Sequence, residues 1–137
     1  MVDLDKLGIV EFIGKRYGTF NPFVIADKLN IAVEWCDLGH NLMGKVAYMG
    51  NHPIVLLNES FKDKNSQYFY CAHELAHVIW HAGLTGAYNL NSQYKSKFEY
   101  QATQYAILIL VKLYHENYDR LPDTYHELES EYGIPEQ

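Results

Sequence analysis

Cysteine is scarce in this chain, with only Cys36 and Cys71 among 137 residues and no CxxC pair. A secreted domain stapled by disulfides would carry more, so both are expected as buried thiols in a reducing cytoplasm. Basic residues are in deficit: 11 Lys and Arg stand against 17 Asp and Glu, a net charge of −6. That excludes a protein built to grip phosphate backbones, whose usual footprint is a basic patch. Long apolar runs are missing too. Tyr105 to Val111 is the most apolar stretch, and Lys112 interrupts it far short of the roughly eighteen residues a membrane span needs. The opening residues MVDLDKLGIVEF carry acids and no positively charged lead-in, so no signal peptide is expected. There is no G-x-S-x-G turn, no phosphate-cradling glycine loop, no internal repeat and no linker. With 48% hydrophobic and 20% charged residues, the expectation is one soluble globular domain spanning residues 1–137.

Periodicity supplies the elements. Asp3 to Tyr17 reads as a helix with a loose stripe of Leu4, Leu7, Val10 and Ile13, stopped at Gly18. Asn21 followed by Pro22 is a cap with proline in the first turn, opening a short helix to about Leu29. Ile31–Cys36, Met43–Met49 and Pro53–Leu57 are strand candidates, and Gly50-Asn51-His52 between the last two suggests a hairpin. A helical pattern runs from Ser66 to about Ala82, ending at Gly83. Gly83 to Lys95 reads as a loop. Ser96 is placed as the cap of the cleanest helical stripe in the chain: Phe98, Ala102, Tyr105, Ala106, Ile109, Leu110 and Leu113. Asp119 to Leu121 breaks it, and Pro122 to Tyr132 makes a last helix. The order α, α, β, β, β, α, α, α predicts an α+β fold, helices packed around a small, mainly antiparallel three-stranded sheet.

The chemistry centres on His73-Glu74-Leu75-Ala76-His77, an HExxH. On a helix, residues four apart lie about 6 Å from each other on one face, so both imidazoles can converge on one ion. The glutamate between them faces the neighbouring quadrant, where it reaches a water instead of the metal. With seven histidines in the chain, about one sequence in forty of this composition would carry such a motif by chance. A catalytic zinc usually takes a third protein ligand. His81 fails on distance, eight residues and about 12 Å along the axis from His73, and is better explained as a helix-end cap or core residue. The position six residues after His77 is Gly83, so the pattern with a third histidine beyond a turn is absent. Glu99, three before Ala102 and seven before Ala106, points toward the apolar stripe, where a carboxylate is costly unless paired or bound to metal. It is the expected third ligand, and the small residues at 102 and 106 would let the two helices pack closely. Cys71 lies about 200° round the helix from His73 and cannot serve.

Thr19-Phe20-Asn21-Pro22-Phe23, Ile25-Ala26, Pro53–Asn58, Ala72–His77 and Glu99–Ala106 together resemble the ImmA/IrrE metallopeptidases of phages and mobile elements. The resemblance covers residues 19–135. It implies a zincin-like fold holding Zn2+ through His73, His77 and Glu99, with Glu74 as general base. It also implies a protein substrate, a helix-turn-helix repressor; the acidic charge and the short apolar runs give the expectation of no direct nucleic-acid binding and no membrane contact. One departure is visible: the family's helix often ends in Leu-Leu-Met-Pro, whereas Ile109-Leu110-Val111-Lys112 continues it here.

Two functions compete at this point. In a zinc endopeptidase the metal polarises the scissile carbonyl and Glu74 takes a proton from the attacking water. The substrate would then lie extended along an exposed strand, for which Met43–Met49 is favoured as the less uniformly apolar candidate. In the alternative, zinc clamps two helices of a non-catalytic module that binds a transcription regulator. Glu74 discriminates, because a structural site has no use for it. Among the other histidines, His40, His52, His115 and His126 are expected at the surface, with His52 the one to test for contact with the cleft. Tyr94, Tyr100 and Tyr105 are candidates to hydrogen-bond a developing oxyanion.

Overall fold

Local sequence signals account for most helix ends. A computed structural model describes residues 4–81 and 92–135, and its helices are α1 (Leu4–Tyr17), α2 (Pro22–Lys28), α3 (Ser66–Trp80), α4 (Ser92–Tyr118) and α5 (Tyr125–Tyr132). Asn21 caps α2 as expected, its side chain accepting from the Phe23 N–H at 3.0 Å with Pro22 next in line. Thr124 caps α5 by accepting from the Glu127 N–H at 3.1 Å, so that helix starts at Tyr125 and not at Pro122. Ser96 is no cap. Helix α4 is already under way at Ser92, since Gln93, Tyr94 and Lys95 are all compatible with a helix and no breaker separates them from the stripe. It runs without interruption past Val111 to Tyr118, and Asp119 ends it in a left-handed conformation (φ 58°). His81 is the C-cap of α3; Ala82, Gly83 and most of the expected loop lie outside the described residues.

The strands are β1 (Ala32–Cys36), β2 (Gly44–Met49) and β3 (His52–Asn58), in the order β1-β3-β2. Gly50 and Asn51 alone form the hairpin turn, and His52 pairs with Met49. Gly50 takes φ 62° at the first turn position, where a side chain would be strained. β2 runs antiparallel to β3, with Gly44 opposite Leu57. β1 runs parallel to it, with Ala32 opposite Ile54. The fold is α+β, and its sheet is mixed, not purely antiparallel.

Helix α3 is the middle of the molecule. Cys71, Leu75 and Val78 join Ile25 of α2 and Val55 and Leu57 of β3 in one buried cluster. Phe69, Ala72 and Ala76 face the other way, into a cluster with Ala102, Ala106, Ile109 and Leu110 of α4. The four alanines are fully buried, so small side chains line the α3–α4 contact as the stripe predicted. Trp80 and Tyr105 stack across it with centroids 3.7 Å apart. Among the described residues, no helix is long and apolar enough to cross a membrane.

Candidate metal centre

The α3–α4 contact brings the expected site residues together. His73 and His77, one turn apart on α3, turn their Nε2 atoms toward Glu99 on α4. Nε2 of His73 lies 2.8 Å from Glu99 Oε2, and Nε2 of His77 lies 3.2 Å from Oε1. One donor atom from each residue falls within 4.8 Å of the other two, and among the described residues this is the group of its kind able to hold an ion. Two imidazole nitrogens and a carboxylate oxygen are a donor set that suits zinc, and an ion held by these three residues would keep a position free for water or substrate. Glu99 is less sheltered than the stripe suggested. Its side chain is 43% exposed while those of His73 and His77 are nearly buried, so it stands at the rim of the site.

Glu74 sits inside the neighbouring cleft, only 8% exposed. Burial pushes its carboxyl up to about 7; the nearby His77 pulls it down somewhat and Glu99 adds to the rise. The first residue of β2 presses directly on it. A Cβ on Gly44 would come within 2.9 Å of Glu74 Cγ and 3.2 Å of the Leu56 carbonyl oxygen, so only glycine allows this approach. The cleft has a volume of about 640 Å³ and runs from β2 (Gly44, Lys45, Val46, Tyr48) across His73, Glu74 and His77 to Glu99 and Thr103. Its walls are largely apolar, with Leu42, Met43, Phe69 and Tyr70 contributing. Asn58, itself buried, holds the loop before β2 in place: its side-chain amide donates to the carbonyls of Gly39 (2.8 Å) and Leu42 (2.9 Å).

A family model described as the IrrE N-terminal-like domain, Peptidase M78, matches residues 26–137. The chain belongs to the Peptidase M78 family. This is a family of metallopeptidases, and the match takes in both helices that carry the site. The chain is also similar to the uncharacterized immunity region protein 2 of Bacillus phage phi105, at 28% identity over 104 residues. That alignment covers 74% of this chain and 65% of the phage protein, so the chain spans less than two thirds of that relative.

Around the candidate centre of this M78 chain lie further residues that the sequence did not single out for this part. Thr103 Oγ1 lies 3.3 Å from His73 Nδ1. His81 Nδ1 lies 2.9 Å from His77 Nδ1, and its Nε2 lies 2.9 Å from Gln101 Oε1. His81 is buried, which lowers its pKa, and it is both helix cap and core residue as expected. The available signal was spacing: Thr103 is one turn beyond Glu99 on the same helix face, and His81 one turn beyond His77. Other candidates fall away from the cleft. His52 is exposed at the hairpin end, and His40, His115 and His126 also line no part of the cleft. Tyr105 is committed to Trp80, and the exposed Tyr100 hydroxyl accepts from Gln104 Nε2 at 3.1 Å; the side chain of Tyr94 lies outside the described residues. Cys71 is buried with its thiol pKa raised by burial, whereas Cys36 is only partly buried, a correction to the expected pair of buried thiols.

Proposed function

We propose that this chain is a zinc-dependent endopeptidase that cuts a helix-turn-helix repressor of a phage or mobile element at a specific site. The observation that carries the reading is the placement of Glu74, inside the cleft and beside the His73, His77 and Glu99 group but not part of it. A zinc ion held by those three residues would supply a Lewis acid for the scissile carbonyl and acidify the attacking water. Glu74 is the general base: a carboxylate with its pKa near neutrality can take the proton and hand it to the leaving amine. A clamp between helices would be closed by four protein ligands and would have no role for a glutamate held in a cleft.

Strand β2 is an edge strand and lines the cleft, which supports it as the substrate's pairing partner. The Met43 carbonyl accepts from the Asn58 N–H at 2.9 Å. The antiparallel alternation then directs the backbone groups of Lys45, Ala47 and Met49 at β3 and those of Gly44, Val46 and Tyr48 at the open edge. An extended peptide can pair with those three residues while its alternate side chains enter the apolar cleft. The phage relative's name, an immunity region protein, supports a regulatory setting. The chain's net charge of −6 favours action on a repressor protein over action on its operator.

The test is to incubate the zinc-loaded chain with helix-turn-helix repressors drawn from the genes flanking its own, and separately with casein. A single cut in one repressor with casein intact is the expected result. Rapid digestion of casein with every repressor untouched would overturn the proposed specificity.

A further inference from the structure

The geometry points to His81 as a positioning residue that, with Gln101, fixes the tautomer in which His77 presents a bare Nε2 to a metal. This deepens the metallopeptidase reading above and rests on it. Two imidazole nitrogens, Nδ1 of His77 and Nδ1 of His81, face each other at 2.9 Å, and a hydrogen bond between them needs one proton and one lone pair. Two arrangements satisfy it. In one, His77 carries its proton on Nδ1 and donates to His81, leaving Nε2 of His77 as a lone pair. In the other, His81 donates and the His77 proton sits on Nε2, where it blocks coordination.

With its amide oxygen turned toward His81, as it is here, Gln101 selects the first. Its Oε1 lies 2.9 Å from His81 Nε2 and is an acceptor, so it is satisfied only when His81 is protonated at Nε2. A neutral His81 then has a lone pair at Nδ1, and His77 must be the donor. The chain of bonds runs one way: His77 Nδ1–H to His81 Nδ1, then His81 Nε2–H to Gln101 Oε1. His81 itself is well held. Its backbone N–H donates to the His77 carbonyl at 2.9 Å, and its ring stacks on Phe98 with centroids 4.5 Å apart. His73 has a shorter version of the same support, since Thr103 Oγ1 can accept from its Nδ1–H at 3.3 Å. Helix α4 thus supplies the acidic group at the site and also, through Gln101 and Thr103, orients the imidazoles of α3.

Outer residues of this kind are worth about 10–100-fold in metal affinity. The measurement is the zinc Kd of the full chain by competition with a chromogenic chelator, alongside thermal melting in excess chelator. His81→Phe keeps a ring on Phe98 but removes the acceptor, and it is expected to weaken zinc binding by about 10–100-fold with little change in metal-free melting. His81→Asn places an acceptor oxygen where Nδ1 stood and is expected to return to within about threefold of wild type. Wild-type affinity in His81→Phe, or equal weakness in His81→Asn, would overturn the inference. Should His81→Phe fail to fold, Gln101→Glu and Gln101→Met decide: the glutamate is expected to keep wild-type affinity and the methionine to lose it, and equal affinities would overturn the inference. A wild-type chain that takes up no zinc would refute the metal centre as a whole, an outcome distinct from a normal wild type with an indifferent His81.

Discussion

Gly44 is the residue whose importance is easiest to underrate, because it carries no chemistry. Its missing side chain lets β2 close onto Glu74, and Ala at that position would have to push either the glutamate or the strand aside. If Glu74 is the base proposed above, Gly44→Ala is expected to lower turnover by about tenfold or more by displacing it, while zinc content stays near one equivalent. Comparing kcat with metal analysis checks this. Glu99→Ala is expected to behave in the opposite way, losing metal first and activity as a consequence; full zinc occupancy in that variant would remove Glu99 from the centre. That His73, His77 and Glu99 come together was legible in two steps: helical spacing puts the two histidines on one face of α3, and a carboxylate beside the apolar stripe of α4 needs a partner. Gly44 and Gln101 were not legible, because their contacts depend on which elements face each other, and periodicity within one element does not report that; the spacing of Thr103 from Glu99 marked its helix face but not His73 as its partner.

Among the elements, α3 and α4 carry the site, and their separation is set by alanines. Replacing Ala106 with Leu is expected to destabilise the chain by about 1–3 kcal/mol, since extra carbons in a fully buried seam force the helices apart. Chemical denaturation would measure it. At the other end of the chain, α5 is fastened by Glu127. Arg120 and the Tyr114 hydroxyl donate to its carboxylate, as does the Asp123 backbone N–H at 3.0 Å, and together they lower its pKa to about 2. A carboxylate with a depressed folded-state pKa stabilises the fold above its ordinary value of 4.5. That contribution is lost as pH falls from there toward 2. The wild type is expected to exceed Glu127→Gln in stability at pH 7, with the gap closing across that acid window; a constant gap would argue against it. Strand positions could be read from local alternation, but β1 pairing parallel to β3 could not. The chain passes through β2 before returning to the centre of the sheet, and nothing within a strand encodes its partner.

For the whole molecule, the two buried clusters meet at α3, so the site lies where the sheet half and the α4 half are joined. A metal bound by residues of both helices favours the folded state by mass action, and about 4 kcal/mol is expected when free zinc stands a thousandfold above its Kd. Removing metal with a chelator should lower the melting temperature by several degrees, and an unchanged value would mean that the site is not coupled to the fold. The acidic character of the chain and the α+β order were legible at this scale from composition and element sequence. The central claim, that Glu74 activates water beside a metal held by His73, His77 and Glu99, has one direct test. Wild type and Glu74→Gln, each first shown to carry one equivalent of zinc, are incubated with the flanking-gene repressor and the products weighed by intact mass. A single cut by the wild type and none by Glu74→Gln is expected, and cleavage by Glu74→Gln at the wild-type rate would contradict the mechanism.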